Sequence, residues 1–173
     1  MINKILLFLK PIQIFIQRLG YQEARFTKEN IDYMLSAIKP GDIVGSYESG
    51  RFTSWFIKGE FDHVGIVNDG LYVVEAVGDR FLNGKNLGGV RKVKIEEWLW
   101  RKNEIFIVRH TNGDVALNAA KKCSEFIGKN YDYSFDNDNE TYYCSEIPYV
   151  SVKTYDSGFM SHIPSNKQIL PID

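Results

Sequence analysis

The chain has 173 residues and a mass of 19.9 kDa, with 44% apolar, 25% charged and 14% aromatic residues. That suits one globular domain and excludes a disordered segment. Lys and Arg number 21 against 22 Asp and Glu, so the basic surplus of a nucleic-acid binder is missing and no such partner is expected. Two cysteines allow one disulfide at most, and with three scattered histidines they show no zinc-ligand spacing, so zinc is not expected.

The first segment, "MINKILLFLKPIQIFIQRLG" (residues 1–20), has an apolar run broken by Lys10 and Pro11 and no small-residue cleavage pattern after it. It therefore does not read as a secretory signal, and it is too short and polar to span a bilayer. A cytoplasmic or peripheral membrane location is expected. On a helix, Ile5, Phe8, Leu9, Ile12, Phe15, Ile16 and Leu19 share one face opposite Lys4, Lys10, Gln13 and Gln17. Such a helix docks on the protein body, which is the favoured reading, or lies on a membrane surface, which would make residues 1–20 a peripheral contact.

No repeat, low-complexity block or linker divides the rest of the chain. "TKENIDYMLSAIKPG" predicts a helix capped by Thr27, with an Ile31, Met34, Leu35, Ile38 stripe and a stop at Pro40-Gly41. "DIVGSY" predicts a strand and "RFTSWFIKG" a short helix or turn. "DHVGIVNDGLYVVEAV" predicts a hairpin, two β-branched runs around "NDG". "GGVRKVKI" predicts a strand, "EEWLW" a helical connector and "EIFIVRH" a strand. "DVALNAAKKCSEFIGKNY" predicts an amphipathic helix capped by Asp114 and closed near Gly128, its apolar face running Ala116, Ala119, Ala120, Cys123, Phe126 and Ile127. Cys123 thus reads as core filling.

Cys144 is placed differently. It follows the acidic loop "SFDNDNE" and precedes "SEIPYV", which reads as a helix opening. Proline is costly inside a helix but tolerated in its first turn, so Pro148 puts the helix start close to Cys144. There the macrodipole and the end N–H groups stabilise a thiolate, and those N–H groups can hold an oxyanion. Such a nucleophile needs a base, usually an oriented histidine. His110 ends a strand beside "TNGD" and reads as a solvated loop residue; His162 lies in a turn-like tail. His63 opens a hairpin strand that would hold its ring rigidly.

A three-residue "NDG" loop with Gly70 left-handed pairs Val67 with Leu71 and sets His63 opposite Glu75. A two-residue Asp69-Gly70 loop sends Glu75 to the other face. The first register is preferred, because a carboxylate in the apolar run "LYVVEAV" needs a partner. Glu75 could also pair with Arg91 or Lys92. From spacing alone, a Cys–His–Glu site and three unrelated residues stand about even. Asp42 reads as turn chemistry, and Asp62 should face away from His63.

Taken together and in order, "GDIVGSY", "DHVGIV", "VVEAV" followed by "GGV", "NYDYSF" and "YYCSEIPY" resemble the permuted papain-like amidases of the NlpC superfamily, the YiiX-like group, over roughly residues 40 to 165. The resemblance implies an α+β, circularly permuted papain-like fold: a small antiparallel sheet or half-barrel flanked by helices, with the cysteine helix packed on the sheet. It divides the chain into an N-terminal helical extension, 1–39, and a catalytic domain, 40–173. Carried over by motif, His63 is the base, Glu75 its orienting residue and Cys144 the nucleophile, and no cofactor is needed. The backbone N–H of Cys144 would hold the oxyanion, with Tyr47 or Tyr143 as a second donor. Pro148 departs from the family pattern, and residues 1–39 have no counterpart in its motif core.

The expected function is a cysteine hydrolase cutting an amide through a thioester, plausibly a cell-wall peptide. Two alternatives stand beside it: a lipid acyl hydrolase or acyltransferase, suited by the amphipathic N-terminus and by "FTSWFIKGEF", and a catalytically inactive binding module, against which the complete trio argues. The substrate is accordingly a peptide or an acyl-containing molecule.

Overall fold

The computed structural model describes residues 26–47, 63–69, 71–79, 81–82, 85–102, 104–135 and 140–160. The amphipathic segment 1–20, "RFTSWFIKG", Asp62, Gly70 and His162 lie outside the described residues.

Helix α1 (Lys28–Ala37) begins where the sequence predicts. The Thr27 hydroxyl accepts from the Asn30 N–H, and the Asn30 side chain accepts from the Thr27 N–H at 3.1 Å, a reciprocal cap. Ile31 and Ile38 of its stripe are buried, and Met34 and Leu35 are partly so. The chain then turns at Gly41, where φ is +86° and a Cβ would meet the Ala116 carbonyl oxygen at 2.1 Å. Only glycine fits both demands.

Five strands form one antiparallel sheet: β1 (Ile43–Tyr47), β2 (His63–Val67), β3 (Tyr72–Val77), β6 (Gly89–Lys94) and β7 (Glu104–Val108). Their order is β6-β3-β2-β1-β7. Each β2 and β3 residue is buried save Tyr72, so these central strands read as continuous apolar runs. Two short pairs were not expected from the sequence: antiparallel β4 (Phe81–Leu82) with β5 (Lys85–Asn86), and parallel β8 (Asn130–Tyr131) with β9 (Thr141–Tyr142).

Side chains alternate across the sheet, so each face has its own core. On one face Ile66, Val74, Ala76 and Val90 pack against α3 (Gly113–Lys122) and α4 (Glu146–Lys153) through Val115, Ala119, Ile147 and Val152. On the other, Val44, Val67, Val73 and Val93 pack against α1 and α2 (Ile95–Trp100) through Ile31, Ile95, Trp98 and Leu99.

Two details of α3 differ from the prediction. Its cap is Asn112, whose side chain accepts from the N–H groups of Asp114 at 3.0 Å and Val115 at 3.5 Å, while Asp114 sits in the first turn. After Lys122 the chain tightens into a 3-10 turn, Cys123–Phe126, and Ile127 is extended and 39% exposed rather than on the apolar face. The change of pitch breaks the periodicity that placed Ile127 inward.

Candidate active site

The hairpin register decides whether His63 and Glu75 can meet. Ile66 pairs with Val74 and Val67 with Val73, and the Asn68 N–H donates to the Tyr72 carbonyl at 2.9 Å. The loop is therefore residues 69–71, with Leu71 left-handed at φ +56°. This corrects the expected pairing of Val67 with Leu71 and of His63 with Glu75 by two positions. A shift of two preserves the face, so the two side chains still share it. They meet diagonally, across Gly65, with His63 Nε2 2.7 Å from Glu75 Oε2. A Cβ on Gly65 would lie 2.5 Å from Val73 Cγ1 and 3.5 Å from Glu75 Cβ. The bare glycine avoids a clash with Val73 on the strand that carries Glu75.

The carboxylate of Glu75, 1% exposed, is divided between its two oxygens. Oε1 accepts from Arg91 Nε at 3.0 Å and Nη2 at 2.8 Å. Oε2 accepts from Trp98 Nε1 at 2.9 Å and contacts His63. Lys102, 2% exposed, sets its ammonium 4.6 Å from the centre of the Trp98 ring. Burial pushes the Glu75 carboxyl up, but the hydrogen bond from His63 and the charges of His63, Lys102 and Arg91 outweigh it and hold the group well below the usual carboxylate range. An ionised carboxylate only accepts, so His63 Nε2 must carry the proton facing it. In the neutral ring the lone pair is then on Nδ1, which makes Nδ1 the basic nitrogen.

Arg91 is among the partners the sequence offers Glu75; Trp98 and Lys102 are not. Their signal is chemical rather than one of spacing: a buried tryptophan N–H and a buried ammonium both seek an acceptor. Ser46, the cross-strand neighbour of His63, is fully buried, and its hydroxyl makes no hydrogen bond among the described residues.

Cys144 is buried two residues before α4, in the turn between β9 and the Ser145 N-cap. Pro148 is the third helical residue, inside the first turn, where its missing N–H costs little. Helix α4 packs against β2 and β3, the strands that carry His63 and Glu75. The Glu146 N–H donates to the Tyr143 carbonyl at 3.2 Å, closing the turn around Cys144. Tyr143 is buried, its ring 5.4 Å from that of Phe135. Tyr47 ends β1, and its side chain lies outside the described residues.

The other candidates are occupied elsewhere. Cys123 is fully buried, its thiol donates to the Ala120 carbonyl at 3.1 Å, and burial pushes it up to about 12. It is core, as the sequence predicts. His110 is not simply solvated: its Nε2 lies 3.0 Å from Asp156 Oδ2, tying the end of β7 to the turn after α4. Asp42 accepts from the Lys39 N–H at 2.8 Å, which is the expected turn chemistry, and also takes Arg109 on both oxygens at 2.7 and 2.8 Å. Among the described residues, no three His, Cys, Asp or Glu side chains group as metal ligands, and no helix is long and apolar enough to cross a membrane.

The fold is similar to that of a solved structure, the metalloprotein YiiX from Escherichia coli O157:H7, with a TM-score of 0.54 and 19% identity over 69% of this chain and 67% of that one. A search of curated proteins found no match. Residues 37–164 match the model of the permuted papain-like amidase enzymes, YaeF/YiiX, C92 family. That match covers well over half of the chain, and the chain belongs to the permuted papain-like amidase family.

Proposed function

We propose that the protein is a cysteine hydrolase that cleaves an amide, with Cys144 as nucleophile, His63 as base and Glu75 orienting the base. The observation that carries this reading is the buried His63–Glu75 contact of 2.7 Å, which an ionised carboxylate makes only with a protonated Nε2. The thiol proton passes to Nδ1 and the sulfur bonds the carbonyl carbon. As the tetrahedral species collapses, the C–N bond breaks and the amine leaves with the proton from Nδ1. Water then attacks the thioester, releasing the acid and restoring the thiol. The oxyanion is held by the Cys144 backbone N–H, with Tyr47 or Tyr143 as second donor. A peptide amide, of the cell-wall kind, is the substrate class we favour, acted on by a catalytic domain of residues 40–173.

Such chemistry makes a geometric demand. The residues of β2 and β3 that pack α4 lie on the face opposite His63 and Glu75. The sulfur must therefore meet the ring at the end of β2 that His63 opens, not across the middle of the sheet.

The test is a thiol-directed activity probe applied to wild type, Cys144→Ala, Cys123→Ala and His63→Ala. Labelling should vanish in the first variant, persist in the second and drop strongly in the third. Equal labelling of wild type and His63→Ala at neutral pH would remove His63 as base. Labelling that survives Cys144→Ala would remove the nucleophile. Release of fatty acid from vesicles, with no cleavage of peptide amides, would move the substrate to a lipid acyl group.

A further inference from the structure

The Glu75 carboxylate has more cationic company than an orienting residue needs. Arg91 sets two N–H groups on Oε1, and the buried Lys102 lies against Trp98, whose N–H shares Oε2 with His63. We propose that Arg91 is a positioning residue of this site: by occupying Oε1 it leaves Oε2 to Trp98 and His63, fixes the Nε2–H tautomer of the ring and opposes the ring's protonation. This rests on the reading of His63 as the base.

Charge and geometry act together here. Around His63, β3 contributes the Glu75 carboxylate, β6 the Arg91 guanidinium, and the residue after the α2 C-cap the Lys102 ammonium. Among the described side chains, β1 offers the uncharged Ser46 beside His63, and the thiol of Cys144 precedes α4. Among these described groups, the Glu75 carboxylate already faces the Arg91 and Lys102 cations before the ring takes a proton. A protonated His63 would add a third to a pocket that excludes water, where charges are poorly screened. Arg91 also draws the carboxylate toward β6, through Oε1, so Glu75 cannot close on His63 with both oxygens. The consequence favours the chemistry. A neutral ring with its lone pair on Nδ1 is the form that can accept the thiol proton, and Arg91 keeps it populated to lower pH. At 23% side-chain exposure the guanidinium can be changed without opening the core.

The experiment follows the ring rather than turnover. The full chain carrying Cys144→Ala, with nitrogen-labelled histidine, is titrated by NMR alone and combined with Arg91→Gln or Arg91→Lys. Glutamine can still donate to Oε1 but carries no charge. With Arg91 present, the neutral His63 ring should show the Nε2–H pattern. Arg91→Gln should raise its titration midpoint by about one pH unit, and Arg91→Lys should return most of that shift. A midpoint unmoved in Arg91→Gln, in a variant whose amide spectrum remains folded, would overturn the proposal. So would an Nδ1–H pattern with Arg91 in place. A raised midpoint here, together with Cys144 labelling that is equal in the cysteine-bearing wild type and His63→Ala, would leave this inference standing and remove the catalytic reading instead.

Discussion

Glu75 is acceptor-only, and three donor groups are arranged on it: Arg91 on Oε1, Trp98 and His63 on Oε2. An amide in its place cannot satisfy them. If the oxygen of Glu75→Gln faces Trp98 and His63, its NH2 meets the Arg91 fork; if it is flipped, its NH2 meets the tryptophan N–H. Either way a donor faces a donor, and the negative charge that Arg91 and Lys102 act on is gone. Removing one partner from a buried ionic cluster costs about 3–5 kcal/mol. Glu75→Gln should lower unfolding stability by that order, read from urea denaturation, whereas Glu75→Asp, which keeps the charge, should lose less. Equal stability of wild type and Glu75→Gln would show that the cluster contributes nothing net. That Glu75 needed a partner was legible in the sequence, since a lone carboxylate in "LYVVEAV" is costly. That it has three at once was not: Arg91 could be named only as an alternative to His63, and Trp98 stands 23 residues further on with no local period linking it to Glu75.

The β2–β3 hairpin shows how an element can be read correctly in kind and incorrectly in detail. Two β-branched runs around "NDG" fixed its existence, and the parity of the register fixed which side chains share a face. The turn itself was misplaced by one residue at each strand, because Leu71 takes a left-handed φ of +56° that a leucine does not advertise. Contact between His63 and Glu75 survives because a shift of two leaves both side chains on one face. Gly65→Ala would put a methyl 2.5 Å from Val73 Cγ1 and 2.9 Å from the Val74 carbonyl oxygen. Overpacking of this kind costs about 1–3 kcal/mol, and here it falls on β3 beside Glu75. The variant should unfold at lower denaturant and label poorly at Cys144. Gly113→Ala is the control: nothing lies within 4 Å of its Cβ position and its φ is unexceptional, so stability should hold or rise slightly. Equal behaviour of the two variants would refute the packing argument. The α3 cap carries the same lesson: "TNGD" offered two capping residues, and the one that reaches the free N–H groups is Asn112.

At the scale of the molecule, the alternation of strands and helices was legible because each has a period and a stop signal. The sheet order was not, since the return of β7 beside β1 and the covering of both faces by helix pairs depend on contacts distant in sequence. The placement of the charges sets one global property. Burial pushes the Glu75 carboxyl up, but its His63 hydrogen bond and the nearby cations dominate and depress it in the folded protein. Asp156 is depressed too, chiefly by its hydrogen bond from His110. In the unfolded chain, glutamate titrates near pH 4.3. Above about that pH, unfolding releases an equally ionised carboxylate, and the cluster's stabilisation is whole. As pH falls below it, the unfolded state binds a proton that folded Glu75 refuses, so stability declines by up to about 1.4 kcal/mol per pH unit for that group. The decline continues down toward the folded value, where protonating Glu75 takes its charge away from Arg91 and the buried Lys102. Urea midpoints should therefore fall steadily below about pH 4.3, and the carboxyl carbon of Glu75, followed by NMR, should keep its ionised shift until the protein unfolds. A Glu75 resonance that titrates within the folded state near its ordinary value, with no accompanying loss of stability, would show that the carboxylate is not held by the groups packed around it.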